Sequence, residues 1–315
     1  MKKAEIVRSR ATITKAHPTK DQIIGAFLAS QDVRASTKYR YNSTLKQFFN
    51  WIEARGHNLQ EITRIEILQY KEDLLASGMS SLTVGSYITS VRRLYDWVEA
   101  NRMGPNIAKG IKSPKRKQQF RKQHLTETQG RDLLGYCRER GLRDYAIISL
   151  LLHTGLRTIE VVRANIEDIT FKMGKRVLLV QGKGRDEKDS FVILTAGAYG
   201  PIETYLNSRP RTKTGEPLFT SISNNNQGER LTTRTISQIA KEGLRAIGLD
   251  SREFSAHSLR HTTAVNILRA GGTLEDAQGV LRHSNPATTQ IYTATIKEEM
   301  RLQRAPEELL DRFYN

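Results

Sequence analysis

Two segments of the sequence decide its interpretation: H-S-L-R-H-T-T-A at residues 257–264 and L-R-H-S-N-P-A-T-T-Q-I-Y-T at residues 281–293. Together they supply two imidazoles, one guanidinium and one phenol, from His257, His283, Arg260 and Tyr292. A tyrosine phenol ionises near pH ~10 and is a weak nucleophile without assistance. Cationic donors around it suit a phosphodiester, because they can bind its non-bridging oxygens and stabilise the charge that develops in transfer. The segments therefore predict phosphoryl transfer onto Tyr292.

The spacing within the first segment predicts that His257 and Arg260 act together. Helical residues three apart share a face, with Cβ atoms about 5–6 Å apart, so both side chains can reach one phosphate. A single H-x-x-R is common on protein surfaces and carries no function by itself. We predict a structural role for His261, on a different face, because the apolar residues 264–268 indicate that the helix is otherwise packed.

A second arginine, Arg157, follows Thr154 and Gly155 at the end of the most apolar predicted helix. A glycine break there can direct the guanidinium into a cleft, and Glu160 can supply the carboxylate that orients it. Taken alone, the pair is more simply an ordinary salt bridge at the start of a helix.

A lysine, Lys183, stands between two glycines at the tip of a predicted β-hairpin. Glycines free the geometry of the turn, so the ammonium can swing toward a substrate oxygen as a donor or acid. Most lysines at hairpin tips only increase solubility, and Arg185 and Lys188 compete for the same role.

Composition limits the function classes. Lys and Arg number 50 against 33 Asp and Glu, a net charge of +17, which favours nucleic acid as partner before an anionic membrane surface. No apolar run approaches the ~20 residues of a membrane span, and the first residues lack a signal-peptide core. The single cysteine, Cys137, excludes an intrachain disulfide and fits the cytoplasm. Both Cys137 and His153 lie in apolar helical stretches and are predicted to be core. We predict no metal, because a cation-rich site repels divalent ions, and no nucleotide-binding loop.

Charge also divides the chain. Residues 1–122 hold 23 basic and 10 acidic side chains, whereas residues 123–315 hold 27 and 23. The run I-K-S-P-K-R-K-Q-Q-F-R-K at 111–122 has six basic residues, no acid and a proline, which is typical of an exposed connector. Apolar residues at three- and four-residue steps predict four helices before it, at 20–30, from 37 to Gly56, at 63–77 and at 81–100. In the third helix we expect an apolar stripe made of Ile65, Ile67, Leu68, Leu74 and Leu75.

The second part opens with a capping signal, L-T-E-T-Q-G, and then a buried helix, D-Y-A-I-I-S-L-L-L-H-T-G. R-V-L-L-V-Q-G-K-G-R-D-E-K-D-S-F-V-I-L predicts two β-strands around a Gly-rich turn, and helical patterns resume from Thr232. The fold class is therefore mainly α (α+β): an N-terminal helical bundle and a mostly helical C-terminal domain with a small β-sheet.

Each motif is weak alone, but their order along the chain is specific. Arg157 in T-G-L-R-x-x-E, Lys183 in G-K-G, His257 and Arg260 in H-x-x-R, His283 in L-x-H-S and Tyr292 resemble the tyrosine recombinase family of site-specific DNA recombinases and phage integrases. The resemblance covers most of residues 123–300, and the N-terminal bundle resembles the SAM-like core-binding domain of that family. The layout is similar to the Xer-like simple recombinases. Arg282 departs from the pattern, because the family usually has glycine there.

The resemblance implies a reaction and roles for these six residues. Tyr292 would attack the scissile phosphodiester and form a 3′-phosphotyrosyl bond, with Arg157 and Arg260 holding the non-bridging oxygens. His257 and His283 would donate hydrogen bonds, and His257 could accept the phenol proton. Lys183 would protonate the leaving 5′-oxygen. Because the covalent link conserves the bond energy, no metal, nucleoside triphosphate or other cofactor is needed.

The resemblance also implies domains and partners. We expect a basic tail at 1–17, a core-binding domain at 18–110, a linker at 111–122, a catalytic domain at 123–298 and a tail at 299–315. The tail at 299–315 either packs on a neighbouring protomer or folds back on its own domain. The expected partner is duplex DNA with paired inverted-repeat sites, bound by a homotetramer that is monomeric in free solution, with accessory DNA-bending or directionality proteins. The location would be the cytoplasm, at the nucleoid. Backbone contacts from the linker are expected from its basic residues, Lys112, Lys115, Arg116, Lys117, Arg121 and Lys122.

Three other readings remain at this point. An accessory DNA-binding protein of the same fold would not need Tyr292 or Lys183. A type IB topoisomerase or a telomere resolvase would use the same chemistry with a different outcome. A basic RNA-binding protein is a more distant reading, since no RNP-type or KH-type motif is present.

Overall fold

The computed structural model describes residues 18–57, 61–115, 123–182, 185–209, 213, 215–282 and 305–314. The chain divides into two compact units, Met1–Gln119 and Phe120–Asn315. Each has its own hydrophobic core.

The N-terminal unit is a helical bundle, as predicted. Its described residues form α1 (Lys20–Ser30), α2 (Ala35–Ala54), α3 (Arg64–Ala76) and α4 (Ser81–Ala100). Local signals fix three of the starts, because the hydroxyls of Thr19, Thr63 and Ser80 accept hydrogen bonds from backbone amides of the first turn. At the end of α2, Gly56 adopts a φ of 68°, the left-handed conformation that stops a helix.

The core of this unit is aromatic and aliphatic. Phe27, Phe48 and Tyr70 are fully buried, and the ring centroids of Phe48 and Tyr70 lie 5.0 Å apart. The prediction that Ile65 and Leu75 belong to the buried stripe of α3 is wrong: their side chains are 70% and 37% exposed. The predicted Ile67 and Leu74 are buried, with Tyr70 between them. Ile65, two residues before Ile67, lies on the opposite side of the helix.

The C-terminal unit begins with four helical elements before the sheet. They are α5 (Glu127–Arg140), α6 (Leu142–Thr154), α7 (Thr158–Arg163) and a 3₁₀ turn (Ile166–Asp168). Thr126 caps α5 in a capping box with Gln129, as the sequence predicted. Helix α6 is the centre of the core: five of its apolar side chains, Ala146, Ile147, Ile148, Leu150 and Leu151, are at most 1% exposed.

The described sheet has three antiparallel strands in the order β1-β2-β3. The strands are β1 (Ile169–Lys172), β2 (Lys175–Val180) and β3 (Ser190–Ile193). The predicted hairpin is β2 with β3, whose register pairs Leu178 with Val192. Strand β1 was not predicted. It joins β2 through Met173 and Gly174, both at positive φ, which is the geometry of a tight hairpin turn.

Helices complete the unit after the sheet. They are α8 (Ala196–Asn207), α9 (Thr233–Ala246), α10 (Ala256–Arg269) and α11 (Leu274–Leu281), and residues 305–314 form a 3₁₀ turn (Pro306–Leu310) and α12 (Asp311–Tyr314). Helix α8 was also not predicted. It contains Gly197, Gly200 and Pro201, which have low helix propensity. The sequence pattern therefore does not indicate a helix here, and packing on α6 stabilises it.

Cys137 and His153, both predicted to lie in the core, differ in burial. Cys137 is buried, with 1% exposure, and burial raises the pKa of its thiol to about 12. His153 is exposed, so that prediction is wrong. It lies in the last turn of α6, where Nδ1 is 2.8 Å from the carbonyl oxygen of Ser149.

Candidate active site

Three of the predicted catalytic side chains line one open cavity of about 860 Å³ in the C-terminal unit: those of Arg157, His257 and Arg260. The other three predicted catalytic residues, Lys183, His283 and Tyr292, lie outside the described residues. Of the predicted linker contacts, Lys112 and Lys115 are described and exposed, and Arg116, Lys117, Arg121 and Lys122 are outside the described ranges.

Arg157 owes its position to a turn at the end of α6. Gly155 ends that helix at φ 60° and ψ 24°, and its N–H donates to the carbonyl of Leu151 at 2.9 Å. A side chain is excluded here, because an added Cβ would lie 2.5 Å from Cδ2 of Leu281. The chain then turns through Leu156, and Arg157 becomes the N-cap of α7. The glycine break predicted from the sequence is thus a close contact between α6 and α11.

Glu160 is the buried anion of the site, with 1% exposure. Its Oε1 lies 3.0 Å from Nη1 of Arg157, and its Oε2 accepts the backbone N–H of Arg157 at 2.8 Å. Oε2 also accepts a hydrogen bond from Nη2 of Arg282 at 2.8 Å. Burial acts to raise the pKa of the carboxyl, but Arg282, Arg157 and Arg260 together hold that pKa below its ordinary value. Glu160 therefore binds two guanidiniums, and the predicted salt bridge with Arg157 at the start of α7 is only one of these two contacts.

Arg260 is almost fully buried, with 1% exposure. Its Nη1 donates to the carbonyl of Gly155 and its Nη2 to the carbonyl of Leu281. These carbonyls stand at the C-terminal ends of α6 and α11, where the helix dipoles concentrate negative charge. Two helix ends therefore hold one guanidinium at the cavity.

His257 and His261 face each other on α10. Their ring centroids are 4.9 Å apart with an interplanar angle of 79°. The prediction that His261 lies on a different face is wrong, since residues four apart are neighbours on a helix. His257 is exposed and His261 is half-buried, so the imidazole of His257 is the one at the cavity.

Helix α9 and the following loop bring to this cavity basic residues that were not predicted from the sequence. Lys241, Arg245 and Arg252 line it beside Asp250. The carboxylate of Asp250 pairs with Arg245 at 3.0 Å and with Lys241 at 3.3 Å. The four-residue spacing of Lys241 and Arg245 was the available signal, because it places both on one face of the helix.

The two alternatives to Lys183 in the hairpin are engaged elsewhere. Lys188 donates to both carboxylate oxygens of the buried Asp168, each at 2.6 Å. Arg185 pairs with Asp189 at 3.2 Å. Both side chains therefore have a structural explanation.

The cavity presents guanidiniums and an imidazole around open space, which suits a phosphate group. Across the described ranges, no group of three or more His, Cys, Asp or Glu side chains could hold a metal ion. Nor is any helix in them long and apolar enough to cross a membrane.

Comparison with known proteins gives consistent matches. Residues 123–299 match the model of the phage integrase family, and residues 26–101 match that of the phage integrase N-terminal SAM-like domain. The tyrosine recombinase XerD of Proteus mirabilis is 29% identical over 293 residues, which cover 90% of this chain and 91% of that protein.

Solved structures share the fold. XerH site-specific recombinase bound to a palindromic difH substrate superposes with a TM-score of 0.73 at 19% identity, covering 92% of this chain and 85% of that one. A lambda integrase dimer bound to a COC′ core site gives 0.66 at 17% identity, covering 85% and 95%. The predicted fold class, a SAM-like helical bundle with a mainly helical second domain and a small sheet, is confirmed.

Proposed function

Because the chain belongs to the phage integrase family of tyrosine recombinases, we propose that it breaks and rejoins duplex DNA at specific sites through a covalent link to Tyr292. The observation that carries the proposal is the convergence of Arg157, His257 and Arg260 on one open cavity. They come from the start of α7 and from α10, about a hundred residues apart in the sequence. Folding has brought together the groups that the sequence singled out for one phosphate.

The cleavage step needs only side chains. The phenol oxygen of Tyr292 attacks phosphorus, and a bond to the 3′-phosphate forms while the bond to the 5′-oxygen breaks. His257, exposed at the cavity, takes the phenol proton in this proposal, and Lys183 supplies a proton to the 5′-oxygen. Arg157 and Arg260 stabilise the charge on the non-bridging oxygens. Rejoining is the reverse reaction with a new 5′-hydroxyl, so no metal or nucleoside triphosphate is required.

Duplex DNA is the proposed substrate. The net charge of +17 supports a polyanion, and the solved XerH and lambda integrase structures are DNA complexes. We assign residues 18–110 to core binding, 111–122 to the linker and 123–298 to catalysis. The first linker residue, Ile111, is buried in the N-terminal core, and Lys112 and Lys115 just after it are exposed. The protein would act in the cytoplasm, at the nucleoid.

Assembly on DNA is the finer part of the proposal. Residues 305–314 carry Leu309, Leu310 and Phe313 with 53%, 54% and 79% exposure. Apolar side chains on a short terminal helix gain stability by packing on another surface. We propose that this tail contributes to contacts between protomers in a homotetramer on two DNA sites, with accessory DNA-bending or directionality proteins where the sites require them.

A covalent trapping experiment tests the function. DNA that the purified protein selects from random duplexes is synthesised with a nick beside the cleavage position, so that the 5′-hydroxyl fragment diffuses away. We expect a protein–DNA adduct that survives denaturation. The adduct should be lost in Tyr292→Phe and kept in the control Tyr136→Phe. The control removes only a hydroxyl that accepts a hydrogen bond from Nη1 of Arg140 at 3.2 Å.

The other functions give different results in the same experiment. Tight, site-specific binding with no adduct would indicate an accessory DNA-binding protein and would refute the proposal. Relaxation of supercoiled plasmid without a site would indicate a topoisomerase, and hairpin ends would indicate a telomere resolvase.

A further inference from the structure

Arg282 has an unusual backbone conformation. It caps the C-terminus of α11 at φ 54° and ψ 46°, and its N–H donates to the carbonyls of Gln278 and Gly279. Glycine is the usual residue in this left-handed conformation, because any Cβ is crowded there. An arginine at such a cap is strained, so the contacts of its side chain are worth following.

The side chain of Arg282 turns inward, with 12% exposure. Its Nη1 donates to the carbonyl of Val280 at 2.7 Å and its Nη2 to Oε2 of Glu160 at 2.8 Å. The cap of α11 is thereby tied to α7, across 122 residues of sequence. Arg282 is not among the residues that line the cavity, so it acts through Glu160.

One carboxylate therefore serves two guanidiniums. Arg157 gives only Nη1 of its fork to Glu160, at Oε1, and its side chain, 32% exposed, also lines the cavity. Arg282 occupies the other oxygen. A guanidinium and a carboxylate left alone favour the two-pronged pair, with two nitrogens of the fork on two oxygens. Arg282 and the backbone N–H of Arg157 share Oε2, and the Arg282 guanidinium opposes the approach of a second guanidinium nitrogen to that oxygen.

We propose that Arg282 is a positioning residue: it holds Glu160 so that the fork of Arg157 is turned toward the substrate phosphate. The proposal rests on the proposed function for its catalytic consequence, and its structural part stands on the shared carboxylate. Without Arg282, Glu160 would draw Arg157 into a two-pronged pair directed away from the cavity. The non-bridging oxygens of the phosphate would then lose one of their two guanidinium partners in the transition state.

The charge on Glu160 is part of the device. Burial alone would raise the pKa of this carboxyl, and Arg282 is the largest of the influences that lower it. Removing Arg282 should therefore raise that pKa. A protonated Glu160 no longer draws the fork of Arg157 away from the phosphate, so the deficit in cleavage of the variant relative to the wild type should narrow toward acid pH.

The test uses the full chain with Arg282→Gly, Arg282→Lys and the matched control Arg102→Gly. Arg102 is also an arginine at positive φ, 55°, but is exposed in the N-terminal unit. Both glycine variants lose one positive charge and relieve one left-handed residue. Only Arg282→Gly loses the contact with Glu160.

The main readout is the rate of adduct formation on the nicked DNA at saturating protein, measured from pH 5 to 9 beside the DNA affinity. For Arg282→Gly we expect a rate about 10- to 100-fold lower, the range for loss of a group that orients a ligating side chain. Affinity should change no more than in Arg102→Gly, Arg282→Lys should recover part of the rate, and the deficit of Arg282→Gly relative to the wild type should narrow toward pH 5. A rate within twofold of the wild type at pH 7 to 9, or a deficit of the same size at pH 5 and at pH 9, would overturn the proposal.

A second readout needs no DNA and separates the two failures. Wild type and Arg282→Gly are unfolded by heat from pH 3 to 8. Because the pKa of Glu160 is held below its usual value of 4.5, its contribution to stability is present above 4.5 and is lost as pH falls. The difference between the two proteins should therefore shrink below pH 4.5. If the wild type forms no adduct, the proposed function fails alone, and a pH-independent difference in unfolding would refute the coupling of Arg282 to Glu160.

Discussion

Replacing Gly155 with alanine tests the turn that joins α6 to Arg157. At φ 60°, an alanine pays about 1–2 kcal/mol for the left-handed conformation. Its Cβ would lie 2.5 Å from Cδ2 of Leu281 and 3.4 Å from Cβ of Thr263. Leu281 must move, and overpacking of this kind costs about 1–3 kcal/mol. We therefore expect Gly155→Ala to lower the free energy of unfolding of the C-terminal unit by about 2–5 kcal/mol.

The distribution of tryptophan supplies the assay. Both tryptophans, Trp51 and Trp97, belong to the N-terminal unit. Urea unfolding followed by tryptophan fluorescence therefore reports on that unit, whereas far-ultraviolet circular dichroism reports on both. The urea midpoint of the C-terminal unit, followed by circular dichroism, should decrease by about 1–2 M. The midpoint of the fluorescence transition should stay unchanged.

The matched control is Gly135→Ala, in the middle of α5. The new Cβ has nothing within 4 Å, and alanine in a helix interior is favoured over glycine by about 0.5–1 kcal/mol. The same chemical change should thus stabilise at 135 and destabilise at 155. Gly155→Ala with a circular dichroism midpoint equal to the wild type would refute the reasoning, as would a loss confined to the fluorescence transition.

Three further predictions follow from buried titratable and charged groups. Glu160→Gln removes the anion shared by two guanidiniums and should lower the free energy of unfolding by about 3–5 kcal/mol at pH 7, measured by urea titration. Because the pKa of Glu160 is lowered, the stability difference between this variant and the wild type should shrink below pH 4.5. The control Glu139→Gln, at an exposed position, should leave the urea midpoint unchanged. Lys188→Met leaves Asp168, 4% exposed, without the lysine that binds both its oxygens, and should lower the urea midpoint by an amount corresponding to about 1–3 kcal/mol. The Cys137 thiol, with its pKa raised to about 12, should react with a disulfide reagent at pH 8 only when the protein unfolds. The raised pKa contributes stability that is present below the usual thiol pKa of 9.0 and is lost as pH rises toward 12. Thermal unfolding between pH 8 and 10 would detect the start of this loss.

Much of the fold could be predicted because its signals are local. Helix starts are set by a hydroxyl and the amides two or three residues on, as at Thr19, Thr63 and Thr126. The predictions that failed depended on neighbours far along the chain. Helix α8 exists despite two glycines and a proline because α6 offers an apolar surface. Ile65 is exposed because the buried face of α3 follows Ile67, Tyr70 and Leu74 instead.

The candidate site divides in the same way. The sequence by itself determined which side chains to expect at the site and in what order, since Arg157, His257 and Arg260 stand in short motifs whose spacing is visible in one dimension. Only the tertiary structure decided how they are held. Arg260 is bound by carbonyls at the ends of two helices, one of them 105 residues away. Glu160 takes Arg282 from 122 residues away, so an arginine that reads as a departure from a motif becomes part of the site. Hydrogen bonds of that range form only when packing has brought the helix ends together, and a one-dimensional pattern holds no record of which ends will meet.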